Sequence, residues 1–384
     1  MSSSPGFTGA KGASGAVVHL RRAVSAIGIT PRGTNRYTMA SNIHTERFPI
    51  GGDEDAVLST EELAFMDARN LIARLSDMRT AIALANALEK LPTQDRTAIM
   101  LLVAAAPAAY RDLFLAHVKW IDISYIDQPG QFNQTTGQIR FEVLLDRFDR
   151  RGTYFVFFHE VGHMIDWALM DGNQNTLFFT ISGSFRDPLY NTLREDVENM
   201  LWSVANDIPV NWEPPGVRVL NLPFAMSINI GSVLDVATIY HHNRIRRAAI
   251  NNILAGNRFD AIRGVDPTPE QEFQASLQTR MINILSGNTH PAHTAANMVI
   301  PSNIFGGITD NAVFGAHTHW IQNYWFDRHG NTTFYQNLEF FAHYFASVMV
   351  GNEQAQQNAR DFFPSTMAVY DVMMDEILLR SGVN

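Results

Sequence analysis

The residues with the clearest chemical potential in this 384-residue sequence are two histidines and a glutamate in the pentad His159-Glu160-Val161-Gly162-His163. On an α-helix, positions i and i+4 share one face, so both imidazoles can reach a single cation. Zn²⁺ suits this geometry, and a catalytic zinc site takes three protein ligands and leaves one position open. Glu160 adjoins the first histidine and can act as general base for the attacking water. The pentad therefore predicts a Zn²⁺ site with His159 and His163 as ligands and Glu160 as the base.

The residues around the pentad predict that it lies on a buried helix. The apolar stretch FVFF precedes it and MIDWALM follows it. Unpaired polar groups on such a helix would cost free energy, and a bound cation would give them a partner. The alternative is a pair of helix histidines near the surface that bind no metal. Asp166, one turn after His163, is predicted to hydrogen-bond a ligand histidine from outside the coordination shell.

A third ligand is expected from a distant part of the chain, and Glu339 in the stretch NLEFFAHYFASVM is the best candidate. The aromatic residues around Glu339 predict that it is buried, and a buried carboxylate needs a positive partner. His343 lies one turn farther on. The sequence leaves open whether His343 ligates the metal, supports a ligand, or is a hydrogen-bonded core histidine.

Two motifs resemble the catalytic domain of the anthrax lethal factor family of zincin metallopeptidases. HEVGHMIDW matches that family's pentad helix, and EFFAHYFA is similar to its EFFAEAF-like helix, which contributes a glutamate ligand. The resemblance implies that His159, His163 and Glu339 bind Zn²⁺ and that Glu160 is the base. The last third of the chain is also similar to zincin-like domains of phage minor head proteins, and related domains occur in bacterial toxins and injected effectors.

The resemblance is incomplete at the residue that stabilises negative charge on the substrate oxygen. Where the family has a catalytic tyrosine, this chain has Thr332, and the second glutamate of EFFAEAF is His343 here. His319, Tyr324 or Tyr335 is expected to replace the tyrosine, and His319 and Tyr324 are predicted as catalytic residues because GAHTHWIQNYW could line the site. The alternative is that this stretch is an aromatic loop packed on the core.

Composition excludes several classes of protein. The chain has no cysteine, which excludes a disulfide scaffold, a thiolate zinc site and a cysteine nucleophile. Its net charge of −9 disfavours nucleic-acid binding. The N-terminal residues lack the pattern of a secretory signal peptide, and the longest apolar run, residues 98–109, is too short to cross a bilayer. We expect a protein made in the cytoplasm that does not bind a membrane and is either virion-associated or delivered as an effector.

The chain divides into three predicted regions. Residues 1–50, rich in Ser, Gly and Thr, are predicted to be a flexible arm, and residues 51–118 a helical module. Residues 119–384 are predicted to be an α+β domain of the zincin-like metallopeptidase type, mainly helical with a small sheet and with a helical insertion at about 170–300.

Smaller patterns locate individual elements. Capping boxes predict helix starts at Ser59 with Glu62, Thr192 with Glu195 and Thr268 with Gln271. IDISYI and QIRFEV are predicted strands, and QPGQFNQTTG is predicted to be the turn between them. Residues 138–143 are predicted to form an edge strand that binds an extended substrate by strand addition.

These features together predict a zinc metallopeptidase, an endopeptidase that hydrolyses protein or peptide substrates and is phage-associated or an injected toxin. The alternative function is a structural phage or injection-particle component whose zinc site is not catalytic. An open coordination position favours the enzyme, whereas a fourth protein ligand such as His343 or His319 favours the structural site.

Overall fold

The computed structural model describes residues 58–170, 178–210, 230–259, 266–291, 293–319, 321 and 323–383. This part of the chain is mainly helical with one small sheet, in agreement with the predicted α+β class. The helices are α1 Thr60–Leu75, α2 Met78–Ala87, α3 Thr93–Ala105, α4 Ala108–Ala116, α5 Val143–Asp146, α6 Phe155–Ala168, α7 Arg186–Asn206, α8 Ile230–Leu254, α9 Pro269–Leu285, α10 Val299–Ile308, α11 Tyr335–Met349, α12 Glu353–Phe362 and α13 Pro364–Arg380. The strands are β1 Asp122–Tyr125, β2 Asp127–Asn133 and β3 Gln138–Glu142.

Two of the three predicted capping boxes are present. Ser59 and Glu62 start α1, and Thr268 and Gln271 start α9 with proline at its first position. The prediction of a helix start at Thr192 is wrong, because Thr192 lies inside α7, which begins at Arg186. The Thr192 hydroxyl instead donates to the carbonyl of Pro188, 3.0 Å away, one turn earlier in the same helix.

The sheet has the strand order β1-β3-β2, with β1 parallel and β2 antiparallel to β3. The prediction that residues 138–143 form an edge strand is therefore wrong, since β3 is paired on both sides. Of the stretch predicted as a turn, residues 128–133 belong to β2, which is an edge strand of this sheet, and only residues 134–137 form the turn. Pro129 and Gly130 lie in β2, a position that tolerates them because an edge strand has one side without ladder hydrogen bonds.

The core packs the sheet and α11 against α6, the helix that carries the pentad. Ile139 and Phe141 of β3 are fully buried, and the ring centroids of Phe141 and Phe157 are 5.4 Å apart. Every residue of α6 except Val156 is buried, as the apolar flanks of the pentad predict. α11 is buried from Gln336 to Met349. The fold thus places both motif helices in the interior, next to each other.

Several predictions fall on residues outside the described ranges. These are the arm at residues 1–50, residues 51–57 of the predicted helical module and, within the predicted insertion, residues 171–177, 211–229, 260–265 and 292. The described part of that insertion contains α7, α8 and α9. No helix within the described residues has both the length and the apolar character that a bilayer crossing requires.

Candidate metal centre

The first turn of α6 is held by a carboxylate at the end of the short helix α5. Both oxygens of buried Asp146 accept hydrogen bonds, from the backbone N–H groups of Val156 and Phe157, each at 2.8 Å. These are two of the N–H groups that a helix start leaves without partners, and a negative charge is favourable there. Asp146 therefore stabilises the start of α6. The helix begins at Phe155, four residues before His159, the first histidine of the pentad.

A second buried network fixes the loop that enters α6. The guanidinium of Arg147 donates to both oxygens of Asp95, at 2.8 Å each, and the hydroxyl of Tyr154 also donates to Asp95. Tyr154 has a left-handed backbone conformation, with φ of 61°. Because Asp95 belongs to α3, this network ties the start of the pentad helix to the N-terminal helices.

The structure brings the three predicted metal ligands together. The Nε2 atoms of His159 and His163 are 3.0 Å apart, and the Glu339 carboxylate lies 3.5 Å from His159 Nε2 and 3.6 Å from His163 Nε2. Ligand atoms at ~2.1 Å from a tetrahedral Zn²⁺ are about 3.4 Å from one another. The three observed separations lie close to that value, so the donor set fits a tetrahedral cation of this size.

His343 belongs to the same cluster, and a buried group of His159, Glu339 and His343 could hold a metal ion. The Nε2 atom of His343 is 3.5 Å from Oε2 of Glu339. It is also 2.9 Å from Nδ2 of Asn303, which in turn lies 3.3 Å from Oε2 of Glu339. His159 and Glu339 are thus common to two possible ligand sets, one completed by His163 and the other by His343.

His319 and Tyr324 lie on the other oxygen of Glu339. His319 Nε2 is 3.3 Å from Oε1, and the Tyr324 hydroxyl donates a hydrogen bond to the same atom. The rings of His319 and Tyr324 stack with centroids 4.3 Å apart, and the ring of Tyr335 is 5.0 Å from that of Tyr324. The stretch that carries His319 and Tyr324 therefore reaches the centre instead of only packing on the core.

A cavity of about 540 Å³ opens onto this cluster. One of its walls is β2 and the turn that follows it, and another is α6. Gly130 is needed in that wall, because a Cβ there would lie 2.3 Å from Val156 Cγ1 and 2.9 Å from Glu160 Oε1. The residues that line the cavity are Gly130, Gln131, Phe132, Asn133, Gln134, Arg140, His159, Glu160, His163, Phe178, His319, Ile321, Tyr324, Tyr335, Leu338 and Glu339.

The electrostatics of the cluster favour the protonation state that a cation requires. Burial, followed by the charges of neighbouring histidines, holds the pKa of His159 well below its usual range, and burial also lowers the pKa of His163 and His343. Burial alone would raise the pKa of Glu339, but His319, His163 and His159 together hold it below its ordinary value. Neutral imidazoles beside an ionised carboxylate are the forms that bind a metal.

The pKa values of Glu160 and His319 are both raised, unlike those of Glu339 and the other histidines of the cluster. Burial, and then the charge of Glu339, raises the pKa of Glu160 to about 8, although the backbone N–H of Phe132 donates to its carboxylate. Burial opposes the charged form of His319, but the charge and hydrogen bond of Glu339 outweigh it and raise the pKa of His319. A cation bound between the histidines would shift Glu160 back toward the ionised form, which a general base needs.

The predicted role of Asp166 is wrong. Both of its oxygens bond Thr180, from the backbone N–H at 2.9 Å and the hydroxyl at 2.6 Å, and not a ligand histidine. Thr180, in the segment that follows α6, supplies both donors, and these hydrogen bonds take the place of the predicted bond to a histidine of α6. The carbonyl of Thr180 accepts from Asn337 Nδ2 at 3.0 Å. Asp166 thus connects α6 to α11 through Thr180 and Asn337, and it makes no hydrogen bond to a predicted metal ligand.

The sequence reasoning missed Asn303, which touches both Glu339 and His343. Asn303 lies in α10, whose ten residues are all buried. The signal was present in the stretch VIPSNIFGGI, because a polar amide in the middle of an apolar helix needs a buried partner. Its partner could not be identified without the fold.

No protein-family model, curated protein or solved structure matches this chain. The likeness to the lethal factor family stays a prediction from two short motifs.

Proposed function

We propose that this protein is a zinc-dependent metalloendopeptidase with a zincin-like site. The observation that carries the proposal is that Glu339 lies 3.5 and 3.6 Å from the two pentad histidines while all three residues, and Glu160, line one cavity. The donor set is two neutral imidazoles and one carboxylate, a combination found in catalytic zinc sites. His159, His163 and Glu339 would hold the ion, which would polarise the carbonyl of the scissile peptide bond.

Side chains of the protein would perform the remaining steps, which are proton transfer and stabilisation of the substrate oxygen. Glu160 takes a proton from the attacking water and passes it to the leaving amine, which requires an ionised carboxylate at the cavity wall. The N–H of Phe132 donates to that carboxylate and orients it. His319 and Tyr324 line the cavity and now face Oε1 of Glu339; in the reaction they would turn their donors to the substrate oxygen and stabilise its negative charge.

An extended substrate would lie along β2. Phe132 directs its N–H away from β3, since that group bonds Glu160. Residues of an antiparallel strand alternate between the paired side and the free side, so the free side of β2 faces the cavity. A peptide added to this edge would pass Glu160 with its backbone in the extended form that a protease must cleave.

A second candidate function is a structural component with a metal site that performs no chemistry. The observation that favours it is His343, which lies 3.5 Å from Glu339 Oε2 and could be a fourth protein ligand. Two observations weigh against it: His343 is not among the residues that line the cavity, and its Nε2 already contacts Asn303. We therefore assign His343 and Asn303 the role of orienting Glu339.

The test is the Glu160→Gln variant, compared with the parent protein for metal content and for cleavage of a mixture of unstructured peptides. We expect the variant to keep its zinc and to lose peptide cleavage by at least 100-fold, because proton transfer is removed while the ligands remain. Full cleavage by Glu160→Gln would refute the assignment of the base. A parent protein that holds zinc and cleaves no peptide would instead support the structural function.

A further inference from the structure

Arg140, a positively charged side chain in the cavity wall, has only some of its hydrogen-bond donors paired. Arg140 of β3 lines the same cavity as the metal centre, and its Nη1 donates to Gln128 Oε1 at 3.1 Å. Its Nε is buried and has no hydrogen-bond partner. Arg140 forms no ion pair with any carboxylate of the described residues. The guanidinium therefore lies in the cavity wall without a counter-charge among the described residues, which leaves its outer donors for a ligand.

The carboxylates that share the cavity are engaged elsewhere. Glu339 is held by the histidine cluster, by Tyr324 and by Asn303, and Glu160 accepts the N–H of Phe132. Neither is placed to neutralise Arg140. The guanidinium presents a planar set of donors that matches a carboxylate in a two-point contact. The chemistry that fits Arg140 is therefore an acidic group supplied from outside the chain.

Strand geometry places Arg140 beside the path proposed for the substrate. Ile139 and Phe141 point into the core, so the side chain of Arg140 between them points to the opposite face of the sheet. Arg140 is the cross-strand partner of Gln131 in β2, and the next residue of β2, Phe132, contacts Glu160. A peptide paired with β2 would carry a side chain past Arg140 within a few residues of the bond attacked at Glu160.

We propose that Arg140 is a specificity residue that binds the carboxylate of an aspartate or glutamate in the peptide substrate. This inference rests on the proposed peptidase function. The net charge of −9 does not oppose it, because charges farther than about 10 Å are largely screened at physiological salt and a direct two-point contact acts at short range.

The experiment uses the zinc-loaded protein and begins with a randomised peptide library, from which the preferred positions around the cleaved bond are read. A matched pair of peptides then carries either Glu or Gln at the selected position. We expect the parent protein to cleave the Glu peptide with a kcat/KM about tenfold higher than the Gln peptide, a difference of about 1.4 kcal/mol. Arg140→Gln should remove most of this preference, mainly through KM for the Glu peptide.

Two further variants separate recognition from folding. Arg140→Lys keeps the charge and loses the planar fork, so it should retain an intermediate preference for the Glu peptide. Arg111→Gln is the control, since Arg111 pairs with Asp112 in α4 and does not line the cavity, and its preference should equal that of the parent. Thermal unfolding and zinc content establish that each variant is folded.

The outcomes distinguish this inference from the function on which it rests. A parent protein that cleaves peptides without any acidic preference would overturn the role of Arg140 and leave the peptidase function intact. An acidic preference that survives in folded Arg140→Gln would overturn it as well. A zinc-loaded parent that cleaves no peptide in the library would refute the peptidase function itself.

Discussion

Gly162 of the pentad helix packs directly against the backbone of Ala342 in α11. A Cβ on Gly162 would lie 2.9 Å from the Cα of Ala342 and 3.3 Å from its Cβ. The first distance is shorter than real Cβ atoms adopt, and the atom it meets is backbone, which cannot rotate away. The missing side chain therefore lets the two helices approach closely enough for Glu339 to reach His159 and His163.

The Gly162→Ala variant is expected to push α6 and α11 apart. It should lower the free energy of unfolding by about 1–3 kcal/mol, as overpacking of a dense core does. It should also weaken metal binding, because Glu339 moves away from the pentad histidines. Chemical denaturation and metal titration measure the two effects.

Val161→Ala provides the comparison for Gly162→Ala. Val161 is fully buried on the same helix, and its truncation leaves a cavity instead of a clash. This control should lose stability while it keeps the metal. Unchanged stability and unchanged metal affinity in Gly162→Ala would contradict the close approach of the two helices.

Substitution of single ligands should decide which of the two overlapping donor sets binds the ion. We expect Glu339→Ala and His163→Ala to lose most of the bound zinc, measured as metal per chain after dialysis. His343→Ala should keep a zinc ion with an affinity that is about 10–100-fold lower, the usual cost of removing a group that orients a ligand. The control is His117→Gln, since His117 is buried away from the centre and bonds the carbonyl of Leu113.

The opposite pattern of zinc loss among these variants would assign the metal ligands differently. Zinc retained by His163→Ala and lost by His343→Ala would assign the third ligand to His343, and the peptidase proposal would lose its support. Zinc retained by Glu339→Ala would show that Glu339 is not required as a ligand.

In the metal-free protein, the three histidines of the centre are expected to contribute a loss of stability as pH falls below about 6.5. The folded state holds the pKa of His159, His163 and His343 below that of free histidine. Between the unfolded pKa of about 6.5 and the lower folded values, the unfolded chain therefore binds more protons, so stability decreases as pH decreases. His319, Glu160, Asp146 and Asp166, whose pKa values burial and neighbouring charges raise, act in the opposite direction, so the contribution of the histidines is read from the difference between the parent and a histidine variant. Each histidine contributes a slope of at most about 1.4 kcal/mol per pH unit.

Urea denaturation of chelator-treated protein at pH 7.5, 6.5 and 5.5 measures this dependence. As pH falls from 7.5 to 5.5, His343→Ala should lose less stability than the parent or gain more, since one histidine with a lowered pKa is gone. A dependence of stability on pH in His343→Ala that equals that of the parent would mean that the His343 imidazole is not held neutral in the fold.

Local elements of the fold were predictable where short-range chemistry determines them. The capping boxes at Ser59 and Thr268 are made by residues three positions apart, and burial of α6 follows from its own apolar flanks. Predictions failed where a neighbour in space competes with the local pattern. Thr192 and Glu195 have the spacing of a capping box, but the helix that contains them starts at Arg186. QPGQFN has the composition of a turn, but pairing with β3 makes it an edge strand.

The sequence by itself determined the chemistry available to this protein: two histidines one turn apart with a glutamate beside the first, on a helix too apolar to leave them unpartnered. Only the tertiary structure decided which distant groups complete the centre. α10, α11 and the segment between them pack around α6, and this packing brings together Glu339, His319, Tyr324, His343 and Asn303. Asp166 does not take part, because both of its oxygens accept hydrogen bonds from Thr180. Spacing along a helix is set by bonds within that helix, whereas contacts between residues over a hundred positions apart depend on how whole elements pack.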